Sequence, residues 1–185
     1  MPVLERITLT VALLAASSFS LGADFTLSSP SIQPGSTLTL AQVYDGYGCK
    51  GKNISPALNW SGAPAATKSF VVTLFDPDAP TGAGWWHWLV FDLPAGATGL
   101  AAGAGTPDGK ALPAGARQGL TDFDTAAFGG ACPPKGDKPH RYVFTVHALS
   151  ADKLEVPADA KPAQVVAALK MKLLASASLT AKYAR

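Results

Sequence analysis

The chain has 185 residues, 48% of them apolar, with 15 Lys plus Arg against 13 Asp plus Glu for a formal charge of +2. That length suits one compact domain with a buried core, which excludes wholesale disorder, and the charge lacks the clustered basicity that nucleic acid or an anionic membrane surface demands. With 18 glycines and 15 prolines, the chain is punctuated too often for a helical bundle and predicts short elements joined by turns.

At the start, Arg6 precedes an apolar run from Ile7 to Ala16, and the small residues Ser17, Ser18, Ser20, Gly22 and Ala23 follow. A basic residue, an apolar stretch of ~7–15 residues and a small-residue cleavage site are the parts of a secretory signal peptide. Ser20 and Gly22 suit a cut before Ala23, giving a leader over 1–22 and a mature domain over 23–185. The run is shorter than the ~20 residues that span a bilayer, and no later segment is long enough, so no transmembrane segment is expected. The expectation is an exported protein, periplasmic or secreted. An oxidising compartment gives Cys49 and Cys132 a reason to pair, with two unpaired buried thiols as the alternative.

Along the mature chain, Phe25–Leu27 and Ser36–Val43 alternate apolar with small polar residues around Gln33-Pro34-Gly35, which predicts two strands and a turn. Tyr44 to Pro56 is a Gly-rich polar loop holding Cys49, and Ala57–Trp60 resumes extended structure. Ser69–Phe75 is nearly continuously apolar, as for a strand buried on both faces. Trp86–Leu93 is another strand, in which strict alternation puts His87, Leu89, Phe91 and Leu93 on one face with Trp86 and Trp88 opposite. Residues 94–139 have no sustained period and form a long connection of the kind that is usually functional or mobile. Arg141–Leu149 is a third strong strand, with Tyr142, Phe144, Val146 and Ala148 sharing a face with His140. Pro162–Ala177 reads as a helix from Val165, Val166, Leu169, Leu173 and Leu174, with Pro162 near its start. The sum is mainly β: an antiparallel β-sandwich with a C-terminal helix.

Three polar clusters sit at strand ends: Asp76-Pro77-Asp78, His87 within Trp85-Trp86-His87-Trp88, and Cys132-Pro133-Pro134 leading to His140-Arg141-Tyr142. Each has a plain structural reading, as an Asp turn, a satisfied core histidine and a solvated loop. Taken together, neighbouring strands would bring Asp76, His87, His140 and Tyr142 to one cavity rim. There imidazole and phenol groups can donate to an anion while a carboxylate fixes an imidazole tautomer. His147 lies on the opposite face from Tyr142 and is read as structural.

The strings DPDAPTGAGWWHWLVFDLPA, NISPALNW and CPPKGDKPHRYVFTVHAL resemble the signatures of the phosphatidylethanolamine-binding protein family, in its bacterial Raf-kinase-inhibitor-like branch, and the likeness runs from about Phe25 to Arg185. The resemblance implies a β-sandwich with a small pocket for phosphate, acetate or a phospholipid head group. It also implies a ligand-binding set of Asp76, Asp78, His87, Gly130, Pro133, Pro134, His140 and Tyr142. Two departures stand out. Phe128 and Ala131 occupy positions where relatives carry Tyr and Pro, and Thr121-Asp122-Phe123-Asp124 brings two carboxylates near the expected mouth.

The leading expectation is an exported binding module for a small anionic or phosphorylated ligand. Modulation of a protein partner, in the manner of a kinase or protease inhibitor, goes with it. There is no Gly-x-Ser-x-Gly elbow and no glycine-rich phosphate loop followed by Lys and Ser or Thr, so no catalytic residue, metal or cofactor is assigned. The alternative is a metal-dependent or acid/base hydrolase using Asp76, Asp78, His87 and His140.

Overall fold

Ser69–Asp76 (β5) is the centre of a five-stranded antiparallel sheet in a computed structural model that describes residues 24–185. The expected leader over 1–22 lies outside the described residues. On one side β5 pairs with Trp85–Pro94 (β6), beyond which lies Arg117–Gln118 (β8); on the other it pairs with His140–Leu149 (β9), beyond which lies Leu173–Tyr183 (β10). A second sheet of three short strands is ordered Thr26–Ser28 (β1), Leu58–Ser61 (β4) and Gly99–Leu100 (β7).

Both faces of β5 are buried, as its unbroken apolar run predicts. Phe70, Val72 and Leu74 join Phe144 and Val146 of β9 against Leu58, Trp60 and Leu100 of the small sheet. Val71 joins Leu89, Phe91 and Leu149 beneath Val165 and Leu169 of the helix Pro162–Lys170 (α1). Each such side chain contributes roughly 1.5–3 kcal/mol on leaving water, so these two layers carry most of the fold's stability. Among the described residues no helix is long and apolar enough to cross a membrane.

The structure corrects three expectations. The helix stops at Lys170, and the rest of the predicted helical stretch is the start of β10, which pairs along the whole of β9. Ala177, Leu179 and Ala181 are buried while Ser176 and Ser178 are exposed, so a period of two overrides the helical spacing of Leu173 and Leu174, which end up outside the core. Ser36–Val43 is no strand: it makes isolated bridges at Thr37 and Val43, and between them the Thr39 hydroxyl accepts from Ala41 N and donates to Gln42 Oε1. That local hydrogen bonding offers the backbone a turn in place of a ladder.

The third correction decides the site. Leu74 pairs with Trp88 but Phe75 pairs with Trp86, so His87 is the extra residue of a β-bulge; a second irregularity falls between Val90 and Leu93, where Asp92 takes a φ of 61°. Each bulge moves the following side chains to the other face. Leu89 and Phe91 therefore face α1 together with Trp86, whereas Trp88, Val90 and Leu93 face the sandwich interior. His87 leaves the predicted stripe and meets Tyr142 of β9, with ring centres 5.2 Å apart.

Candidate functional site

The C-terminal end of β5, the start of β6 and the start of β9 lie side by side, and around them is a cavity of about 530 Å³. That volume is within the roughly 300–1,000 Å³ usual for small-molecule sites. Asp76, His87, Pro133, Pro134, His140 and Tyr142 all line it, as expected from sequence.

Asp76 and His140 form its buried polar floor. Asp76 is 2% exposed and His140 4%. The His140 Nδ1 is 2.7 Å from Asp76 Oδ2, and Asp76 Oδ1 accepts from the Asp78 amide at 2.8 Å. The other ring nitrogen of His140 is 3.3 Å from Asp137 Oδ2, so the imidazole stands between two carboxylates. Among the described residues no three His, Cys, Asp or Glu side chains are grouped so that they could hold a metal ion.

His87 is held from both ends by Gly129. Its Nδ1 donates to the Gly129 carbonyl at 2.8 Å, and its own carbonyl accepts from Gly129 N at 2.9 Å. A carbonyl can only accept, so the proton sits on Nδ1 and the neutral ring offers Nε2 as an acceptor. Burial pushes the His87 pKa below its ordinary value, against hydrogen bonding to the Gly129 and Gly130 backbone and the charges of Asp76 and Asp122.

Two further groups at the cavity are buried donors that find no acceptor among the described residues: the Tyr142 hydroxyl and the Trp85 indole N–H. Loss of water raises the Tyr142 pKa and the Asp76 charge raises it further, against a smaller lowering by the Cys132 backbone beside the phenol oxygen, so the phenol keeps its hydrogen to donate at any physiological pH. An unpaired buried polar group costs about 1–3 kcal/mol, which a ligand acceptor placed here would relieve.

Asp78 and Gly130 of the expected set lie off the lining. Asp78 faces the other way and clamps Arg141: Oδ2 accepts from Arg141 N at 2.8 Å and Nε at 2.9 Å, and Oδ1 accepts from Nη2 at 2.7 Å. Those Arg141 bonds hold the Asp78 pKa down at about 2. Gly130 donates its N–H to Asn53 Oδ1 at 2.7 Å and packs so closely on the Gln42–Tyr44 backbone that any side chain would collide with it. Both residues hold the cavity's frame.

The long 94–139 connection supplies one wall. Cys132 is disulfide-bonded to Cys49, 83 residues away, which pins Pro133 and Pro134 to the two-stranded ribbon Asp45–Gly46 (β2) and Cys49–Lys50 (β3). The two carboxylates expected near the mouth are turned aside. Asp122 accepts from Trp86 N at 2.7 Å, and Asp124 pairs with Lys161 at 3.0 Å. Phe123 between them faces the cavity instead, stacked on Tyr44 at 4.6 Å and edge-on to His87 at 5.2 Å. Phe128 and Ala131 are both buried, Phe128 against Trp88.

Sequence reasoning missed Tyr47, Trp85, Phe123 and Arg185 as lining residues. Trp85 had a signal, since it opens the Trp85-Trp86-His87-Trp88 cluster, and the structure pairs it directly across from Asp76. Tyr47 and Phe123 arrive on turns and Arg185 follows β10, with no periodicity to announce them.

A family model described as phosphatidylethanolamine-binding protein matches residues 28–184. The UPF0098 protein YbcL of Escherichia coli K12 is 52% identical over 161 residues, 87% of this chain and 88% of that one. YbhB of the same organism is 48% identical over 157 residues, 85% and 98% of the two chains. The crystal structure of E. coli YbcL, described as a new member of the mammalian PEBP family, is similar with a TM-score of 0.86 at 51% identity, covering 88% of this chain and 99% of that one.

Proposed function

The chain belongs to the phosphatidylethanolamine-binding protein family, and from that premise we propose that it binds a small anionic or phosphorylated ligand in the cavity between β5, β6 and β9. The observation that carries this reading is the pair of unpartnered buried donors, Tyr142 Oη–H and Trp85 Nε1–H, beside the His87 ring at one cavity. A ligand oxygen is the group that satisfies both. The negative charge of Asp76 is already engaged by His140 and the Asp78 amide, so it does not face the ligand unopposed. The role is binding rather than hydrolysis, and modulation of a protein partner would act through the ligand-loaded rim.

Calorimetric titration with inorganic phosphate tests this. Saturable heat is expected in the unaltered protein, weakened about tenfold or more in His87→Ala, since Nε2 there accepts the hydroxyl hydrogen of hydrogen phosphate and hydrogen bonds to charged groups are worth about 1.5–3 kcal/mol. Identical heats in the two proteins would overturn the reading.

We also propose that the protein is exported. Support comes from the leader-like residues 1–22 and from the Cys49–Cys132 bond, which persists in oxidising compartments. Intact mass of the protein from expressing cells should correspond to a chain starting at Ala23. An uncut amino terminus in the cytoplasmic fraction alone would contradict export.

A further inference from the structure

We propose that Arg185 is the residue that makes this cavity selective for anions. The inference rests on the reading of the cavity as a ligand site. Arg185 is the only Lys or Arg among the lining residues. Against it stands Asp76, a carboxylate on the same lining, so without Arg185 the site would carry no permanent positive charge to set against that carboxylate.

Its guanidinium is placed rather than free. Nε donates to the Pro133 carbonyl at 2.7 Å, and Nη1 reaches the Tyr47 carbonyl at 3.4 Å. These two carbonyls belong to the same two segments that the Cys49–Cys132 disulfide joins, so the arginine and the disulfide are parallel cross-links across one seam of the wall. Gly48 lies so close that an added Cβ would sit 3.2 Å from Nη1. Among the described residues no carboxylate pairs with this guanidinium. Nη2 makes no hydrogen bond to the protein's described residues and remains available as a donor, which suits a second ligand oxygen in the fork geometry that arginine offers. The work is then divided: the Tyr142 hydroxyl and the Trp85 indole N–H donate to a ligand oxygen, the His87 Nε2 lone pair accepts from a ligand hydroxyl, and Arg185 requires that the molecule be charged.

The experiment compares the unaltered protein with Arg185→Gln and Arg185→Lys, using inorganic phosphate as probe and the ring and amide NMR signals of His87 and Gly129 as readout. Phosphate affinity should fall about three- to tenfold in Arg185→Gln at low ionic strength and by less in Arg185→Lys, with the gap narrowing as salt screens this exposed charge. Equal affinities for the unaltered protein and Arg185→Gln, with phosphate still shifting the His87 signals, would overturn the role of Arg185 while leaving the ligand site standing. No phosphate response in any of the three proteins would overturn the ligand site and this inference with it.

Discussion

Pro77 separates two aspartates that do opposite work. Asp76 turns inward to His140 and is closed off from water, whereas Asp78 turns outward and takes three hydrogen bonds from Arg141. The motif was legible in the sequence, but its division into an inward and an outward carboxylate was not. His147 separates in the same way from the two site histidines. It lies on the far face of β9 with Nε2 3.2 Å from the Thr73 hydroxyl, and burial alone pushes its pKa down to about 4. The unfolded chain titrates near 6.5, so it binds the proton more readily, and the stability from this histidine is complete above about pH 6.5 and lost as pH falls toward about 4. His87 is shifted in the same direction, also chiefly by burial. Asp78 behaves otherwise, since its lowered pKa keeps its contribution until pH falls below the ordinary carboxylate range toward about 2. Urea unfolding at about pH 7 and about pH 5 should therefore show His147→Gln losing about 2 kcal/mol less than the unaltered protein between the two. Equal losses would mean that the partly buried His147 ring keeps its ordinary access to water in the folded protein.

The element that builds the site is β6, and what matters in it is its departures from regularity. A regular strand would carry His87 onto the stripe under α1 with Leu89 and Phe91. The bulge opposite Leu74 and Phe75 turns the ring to Tyr142 instead. Period two was visible in the sequence, but nothing marked where it is interrupted, because a bulge is set by pairing with β5 and by the grip of Gly129 on both ends of His87. β10 shows the converse. Its leucines mimic helical spacing, and only the partner strand β9 decides between the two periods. The wall segment 132–134 follows the isolated bridge of Ala131 to Val43 and is tied to the β2–β3 ribbon by the disulfide and by Arg185. Replacing both cysteines, in Cys49→Ser with Cys132→Ser, should cost about 2–5 kcal/mol in urea unfolding, in keeping with a long closed loop. It should also weaken phosphate binding by loosening the seam that Arg185 spans. Unchanged stability together with unchanged binding would show the wall to be held by packing alone.

At the scale of the whole molecule, the cavity is a consequence of strand order. β6, β5 and β9 are adjacent, so their ends bring Asp76, His87 and His140 together from positions far apart in sequence. The motifs at those ends were legible because each combines an extended apolar run with polar residues at its edge. Tyr47, Phe123 and Arg185 were not, because loop closure over long separations leaves no local pattern. Two buried donors that find no acceptor among the described residues, the Tyr142 hydroxyl and the Trp85 indole, remain where those parts meet. Crystals grown without phosphate, sulfate or acetate and then soaked in selenate would locate an anion by its anomalous scattering. A peak is expected inside the cavity with an oxygen within hydrogen-bonding distance of the Tyr142 hydroxyl or the Trp85 indole N–H; peaks confined to surface lysines, with the cavity holding none, would contradict anion binding there.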